Sequence, residues 1–272
     1  MYEIKNFLEN DDVRISSQKG NIKIVEYTKD LSVNPYTCIT QYYAAQMNVR
    51  KKQALIELKN DSYVTSAGAM QWTLGNVQAV TDIKGVGDFL GKAIKGSITK
   101  ESTVKPKYTG TGLLMLEPTY KHLLIEDLSE WGSGIVLDDG MFLACDGNVK
   151  YDVIMRSNLS SAVLGNQGLF SLKLSGNGLA VLESPVPREE LIEIELKDDV
   201  IRIDGNFAVA WSDTLEFTVE KSGKSLLGSA VSAEGFVNVY RGTGKILIAP
   251  VLSSSAYTAG TLTSTMSYNS GR

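Results

Sequence analysis

The sequence predicts an all-β protein: three imperfect repeats of an antiparallel β-sandwich module, with one short inserted helix. Three observations lead there. Gly110-Thr111-Gly112 recurs as Gly176-Asn177-Gly178 and Gly242-Thr243-Gly244, so the first glycines stand a constant 66 residues apart. An apolar run follows each copy, at Leu113–Leu116, Leu179–Leu182 and Ile246–Ile248. Elsewhere apolar and polar residues alternate with period two, as in half-buried strands. A fixed period of this length marks one structural unit built several times.

Taken in order, residues 1–20 are polar, and a first strand is expected at Ile22–Tyr27. Asn34-Pro35 marks a turn. Tyr36 to Arg50 suits helix or strand, since Tyr42, Tyr43, Ala44, Ala45 and Met47 fit both. Ala54–Leu58 reads as a strand and Lys59–Ser62 as the turn after it. Ser62 to Val77 then lies over Gly134 to Val149 without a gap, at an offset of 72, with Val64 on Val136.

Gly85–Asp88 opens the one segment with helical spacing. Phe89, Leu90, Ala93 and Ile94 share a side, Lys92 and Lys95 take the other, and Gly96 follows as a C-cap. Beyond it the alternation returns. Val149, Tyr151 and Val153 are matched 66 residues later by Leu215, Phe217 and Val219, and Asp139-Gly140 returns 65 residues on as Asp204-Gly205. A drift of one residue is what a bulge produces. Leu172 and Leu174, then Ile192, Ile194 and Leu196, then Val237 and Val239 each share a strand face.

The glycine pairs are expected between strands, where positive φ serves a tight connection. Gly244–Val251 is expected to pair beside an N-terminal strand and close a ring of modules. The resulting divisions are 1–84, the helix and linker 85–101, 102–164, 165–252 with the closing strand, and a Ser/Thr-rich tail 253–272.

Composition narrows the function. The 272 residues are 43% hydrophobic and carry 27 basic against 31 acidic side chains, a net charge of −4. That balance argues against a nucleic-acid surface, which needs clustered positive charge. No apolar leader and no run of about 18 apolar residues is visible, so a cytoplasmic protein without a membrane span is expected. Cys38 and Cys145 lie far apart and are expected as reduced core thiols.

Candidate chemistries are few. His122 is the single histidine, with no nucleophile at a known spacing, so it is expected to pack or to sit at the surface. Asp138-Asp139-Gly140 and Asp204-Gly205 suit tight turns better than a calcium loop. The glycine pairs lack the third glycine and the following helix of a nucleotide loop. Glu193 and Glu195 fit a solvated strand face better than a pair of hydrolytic acids. Trp211 is expected in the core. Trp131, set between glycines and serines, and the basic run Arg50-Lys51-Lys52 are the candidate contact surface.

Tyr108-Thr109-Gly110-Thr111-Gly112-Leu113, Gly168-Leu169-Phe170 with Gly176-Asn177-Gly178, and Glu234-Gly235-Phe236-Val237-Asn238 with Gly242-Thr243-Gly244-Lys245 resemble the altered-inheritance-of-mitochondria (mitochondrial biogenesis) family, in a bacterial form. Asp204 to Trp211 and the glycine-rich segment 85–96 are similar to it as well. The resemblance covers about residues 20–250. It implies β-rich modules like those of the tryptophan RNA-binding attenuation protein, a short double-stranded β-helix that assembles into rings. It carries no catalytic motif. Lys100-Glu101-Ser102-Thr103 departs from the glycine-led pattern of the other copies.

The expectation is therefore a non-catalytic intracellular scaffold or binding protein that self-associates, with no cofactor and no metal. Repeated edge strands need covering, and a second copy does this. The alternatives are an RNA- or small-ligand-binding ring and a carboxylate-dependent hydrolase.

Overall fold

The structure is a computed structural model, described here for residues 2–80, 105–155, 170–221 and 236–251. Within them lie fifteen strands and one α-helix, so the protein is mostly β. The strands are β1 Val13–Lys19, β2 Ile22–Tyr27, β3 Lys52–Thr65, β4 Met70–Val80, β5 Lys107–Leu116, β6 His122–Asp127, β7 Gly134–Leu137 and β8 Phe142–Asp146. They continue with β9 Lys150–Met155, β10 Phe170–Ser175, β11 Leu179–Ser184, β12 Ile192–Asp204, β13 Ala208–Ser212, β14 Glu216–Lys221 and β15 Phe236–Ile248. Helix α1 spans Cys38–Gln46.

Two curled antiparallel sheets result. One runs β1-β2-β3-β8-β11-β6, with β5 on β3 and β4 on β5; the other runs β12-β15-β13-β7-β10-β9, with β14 on β15. Alternation sets the outer strands, and uninterrupted apolar runs set the inner ones. β7, β8 and β13 are buried on both faces almost throughout. Thus Ile135 and Leu137 pack into the core between the sheets with Leu172, Leu182 and Leu247, while Val136 faces the other way, against Trp211 and Tyr240. A further core gathers Ile22, Ile24, Ile56, Leu114 and Val181. The unbroken apolar run of β7 is what a strand covered on both sides requires.

Several expectations change. β2 has the expected bounds, but Ala54–Leu58 is only the start of the fourteen-residue β3. Lys59–Ser62 is no turn: the strand runs through it on a bulge, with Asn60 at φ 59°. Gly110-Thr111-Gly112 lies inside β5 opposite that bulge, and Gly242-Thr243-Gly244 lies inside β15 opposite a second bulge between Leu196 and Asp199. Only Gly176-Asn177-Gly178 joins two strands, β10 and β11. Positive φ serves a bulge as readily as a turn, so sequence could not separate the two.

The segment 36–50 resolves as α1, while the helix expected within 85–101 falls outside the described residues, as does the tail. β15 pairs with β12, β13 and β14, whereas β1 and β2 belong to the other sheet, so Gly244–Val251 does not close onto the N-terminal strands. Asp139-Gly140 sits in the turn before β8, and Asp204-Gly205 ends β12 and opens the bend before β13.

Candidate functional site

The first sheet curls until two of its edge strands, β1 and β6, line opposite sides of one cleft. Among the described residues each pairs on one side only, β1 with β2 and β6 with β11. Lys19 closes one end of the seam through ion pairs to Asp127 at 3.3 Å and Glu130 at 2.9 Å. Between them lies a cleft of about 400 Å³, lined among others by Arg14, Gln18, Lys52, His122 and Leu124.

A charged cluster forms the floor. Glu26 and Lys52 are directly opposed in the β2–β3 ladder, on the strand faces that also carry Ile22, Ile24, Ala54 and Ile56. Both are buried, at 2% and 4% exposure. Arg14 Nη2 reaches Glu26 Oε1 at 2.7 Å and Arg50 Nη1 reaches the same oxygen at 2.9 Å. Lys52 Nζ stands 3.7 Å from Glu26 Oε2 and donates to the Arg50 carbonyl at 3.3 Å. Three cations thus surround one carboxylate. Burial works to raise the Glu26 pKa, but the Arg50 hydrogen bond and the Lys52 and Arg14 charges outweigh it, and the net direction is down. Burial lowers Lys52 below the usual ammonium range, against the pull of Glu26. His122 is lowered by burial and then by the Lys52 charge.

The expected contact residues separate. Trp131 ends a short 3-10 turn and is 2% exposed; its indole Nε1 donates to Glu126 at 3.1 Å, and the Lys245 ammonium lies 4.3 Å from its ring centroid. It is a core residue, corrected from a surface one, because the turn folds under the sheets. Arg50 and Lys52 are drawn inward onto Glu26. Lys51 pairs with Asp30 at 2.6 Å, which holds its pKa up, and lies 6.0 Å from the Tyr120 ring centroid. Trp211 is buried as expected, 5.2 Å from Tyr240 between ring centroids. Cys145 is a core thiol pushed up to about 12 by burial, but Cys38 is exposed on α1.

Sequence reasoning passed over Glu26 and Arg14. A signal was present: by period two, Glu26 continues the apolar face of Ile22 and Ile24, and Lys52 continues that of Ala54 and Ile56. Opposite charges in phase with two apolar faces announce a buried pair.

Two further surfaces are open. Helix α1 buries none of its residues, and Tyr36, Ile39, Tyr42, Tyr43 and Met47 beside or on it are exposed. The outer edges of the β12 segment Val200–Asp204 and the β4 segment Met70–Leu74 pair with no further strand among the described residues. Also among the described residues, no helix is long and apolar enough to cross a membrane.

Residues 45–251 match the family described as mitochondrial biogenesis AIM24. An uncharacterized protein of Streptococcus pyogenes serotype M6 is 31% identical over 189 residues, which is 66% of this chain and 73% of that relative. A crystal structure of a Streptococcus pyogenes protein, solved by a structural genomics consortium, superposes with a TM-score of 0.58 at 27% identity, covering 80% of this chain and 94% of the other.

Proposed function

The chain belongs to the mitochondrial biogenesis AIM24 family, and we propose that it is a non-catalytic cytoplasmic scaffold of three like β modules that self-associates through strand edges. The observation that carries this reading is a register shared by two junctions within the chain. In one, Tyr63, Val64 and Thr65 stand opposite Asp146, Cys145 and Ala144. In the other, Ile135, Val136 and Leu137 stand opposite Ser212, Trp211 and Ala210. The sequence offsets of 72 and 66 carry the first set onto the second residue by residue.

The same offsets point to a third junction. A further step of 66 leads from Ile135–Leu137 to Ile201–Ile203, and a backward step of 72 leads from Ala144–Asp146 to Trp72–Leu74. These are the two open edges. In this reading Ile201, Arg202 and Ile203 of one copy stand opposite Leu74, Thr73 and Trp72 of the next. Unpaired backbone on a strand edge favours such addition, and a head-to-tail contact makes a ring or a filament.

The non-catalytic part draws support from the acids. Glu26 is clamped by two arginines, and Glu126 accepts from Arg188 Nε at 3.1 Å and from the Trp131 indole. Neither is placed to act as a free general acid. The pairing of Arg50, Lys51 and Lys52 with Glu26 and Asp30 likewise weighs against an RNA-binding stripe.

A disulfide cross-link tests the proposal. With Cys38→Ser as background, the double variant Thr73→Cys/Arg202→Cys brings two thiols within bridging range if the edges pair. Mild oxidation is expected to give dimers and higher species on non-reducing gels, matched by light-scattering masses of the parent chain above that of a monomer. A monomer with an internal bridge overturns self-association, and so does a monomer with no bridge.

A further inference from the structure

We propose that the seam between β1 and β6 is an anion-binding site for a phosphate group, free or carried on a small phosphomonoester, with Lys52 and Arg14 as its cationic contacts and His122 on the facing wall. This assignment is independent of self-association, since the seam and the β4 and β12 edges are different parts of the fold.

Charge bookkeeping within the cluster is the first argument. Arg14, Arg50 and Lys52 surround the single carboxylate of Glu26, leaving a surplus of two positive charges on a largely buried floor. The cations across and beside the cleft do not share that surplus evenly. Arg188 is committed to Glu126 and Glu193, and Lys19 to Asp127 and Glu130. Glu189, at the cleft rim, is exposed and screened by water. Arg188 and Lys19 each face two acids, so the positive surplus is confined to the Arg14–Arg50–Lys52 floor, where low-dielectric walls strengthen its local field.

Unspent donors are the second argument. The Lys52 ammonium has three N–H groups; among the described residues it donates to the Arg50 carbonyl at 3.3 Å, and its acid partner Glu26 stands at the longer distance of 3.7 Å. Arg14 directs Nε and Nη2 to the same Glu26 oxygen, so Nη1 makes no contact with that acid. The seam-facing amides of β1 and β6 have no strand partner among the described residues. Arg14 on β1, Lys52 on β3 and His122 on β6 line the cleft from three strands, and several donors around one space suit a multiply charged oxyanion. A cleft of about 400 Å³ admits a phosphomonoester and not only the ion.

The consequence for His122 makes the site measurable. Lys52 now depresses its protonation, and a bound dianion beside it reverses that influence. Because His122 is the chain's only histidine, its two carbon-bound ring protons give one assignable pair of signals. Full-length protein is titrated with inorganic phosphate and, separately, with glycerol 3-phosphate, ionic strength being held constant with sodium chloride. The expected result is a saturable His122 shift with a raised pKa for at least one of the two, and the stronger response tells free phosphate from ester. Lys52→Met is expected to weaken the apparent affinity at least tenfold, and Lys121→Ala, outside the cleft, to leave it unchanged. Arg14→Gln, at the exposed rim, gives the same weakening should the Lys52 variant fail to fold. A shift that does not saturate, that chloride reproduces, or that survives Arg14→Gln undiminished overturns the site.

Discussion

The backbone amide of Asp198 donates to Thr243 Oγ1 at 3.0 Å, across the bulge where β12 passes the glycine pair of β15. The amide of Asn60 donates to Thr111 Oγ1 at 3.2 Å in the same setting on β3 and β5. Asp198 and Asn60 both hold positive φ, at 53° and 59°. The threonine between the glycines thus satisfies an amide that the bulge removes from the ladder, a role that explains the residue type at both positions.

Glycine is needed beside that threonine for space as well as for φ. A Cβ on Gly112, at φ +154°, would stand 2.0 Å from the Leu74 carbonyl oxygen, whereas one on Gly68, at φ +76°, meets nothing within 4 Å. Gly112→Ala is expected to lower stability by roughly 3 kcal/mol or more, and Gly68→Ala by only about 1 kcal/mol for its backbone conformation. Urea unfolding of the two variants checks the contrast.

Burial separates the aromatic residues in the same way. Trp131→Ala removes a fully enclosed ring and is expected to cost about 4 kcal/mol. Tyr42→Ala, on a helix with no buried residue, is expected to change stability by less than about 0.5 kcal/mol. Chemical denaturation midpoints at equal slope measure both.

The Glu26 cluster gives the fold an acid-sensitive contribution. Against the upward push of burial, the Arg50 hydrogen bond and the Lys52 and Arg14 charges hold the Glu26 carboxyl below the ordinary glutamate range in the folded state. The unfolded chain therefore binds the proton first, so this stability is complete above about pH 4.5 and is lost as pH falls through the lower folded pKa. Glu26→Gln is expected to be less stable than the parent at pH 7, on the order of 3 kcal/mol because buried cations lose their partner. The gap is expected to narrow below pH 4.5, which unfolding curves from pH 7 to pH 3 record.

The thiols differ in reach. Cys38 is exposed, while Cys145 is buried and its pKa is pushed up to about 12. Iodoacetamide at pH 8 is expected to modify Cys38 in the native protein and Cys145 only after unfolding. Mass spectrometry of the peptides reads the order directly.

Sequence by itself determined the β class, the bounds of β2, the faces of β10 and β12, and the correspondence of Cys145 with Trp211, which lie buried opposite Val64 and Val136. Period-two alternation and constant spacing are local properties, written wherever a strand has a wet side and a dry side. Tertiary structure alone decided that two glycine pairs lie inside strands, that Trp131 folds under the sheets, and that Arg50 and Lys52 converge on Glu26. Each depends on which distant strand arrives alongside: the same positive φ serves a turn or a bulge, and the same lysine is wet or dry according to its neighbour. The seam and the free edges belong to that second kind, because an edge is defined by the strand that does not pair with it.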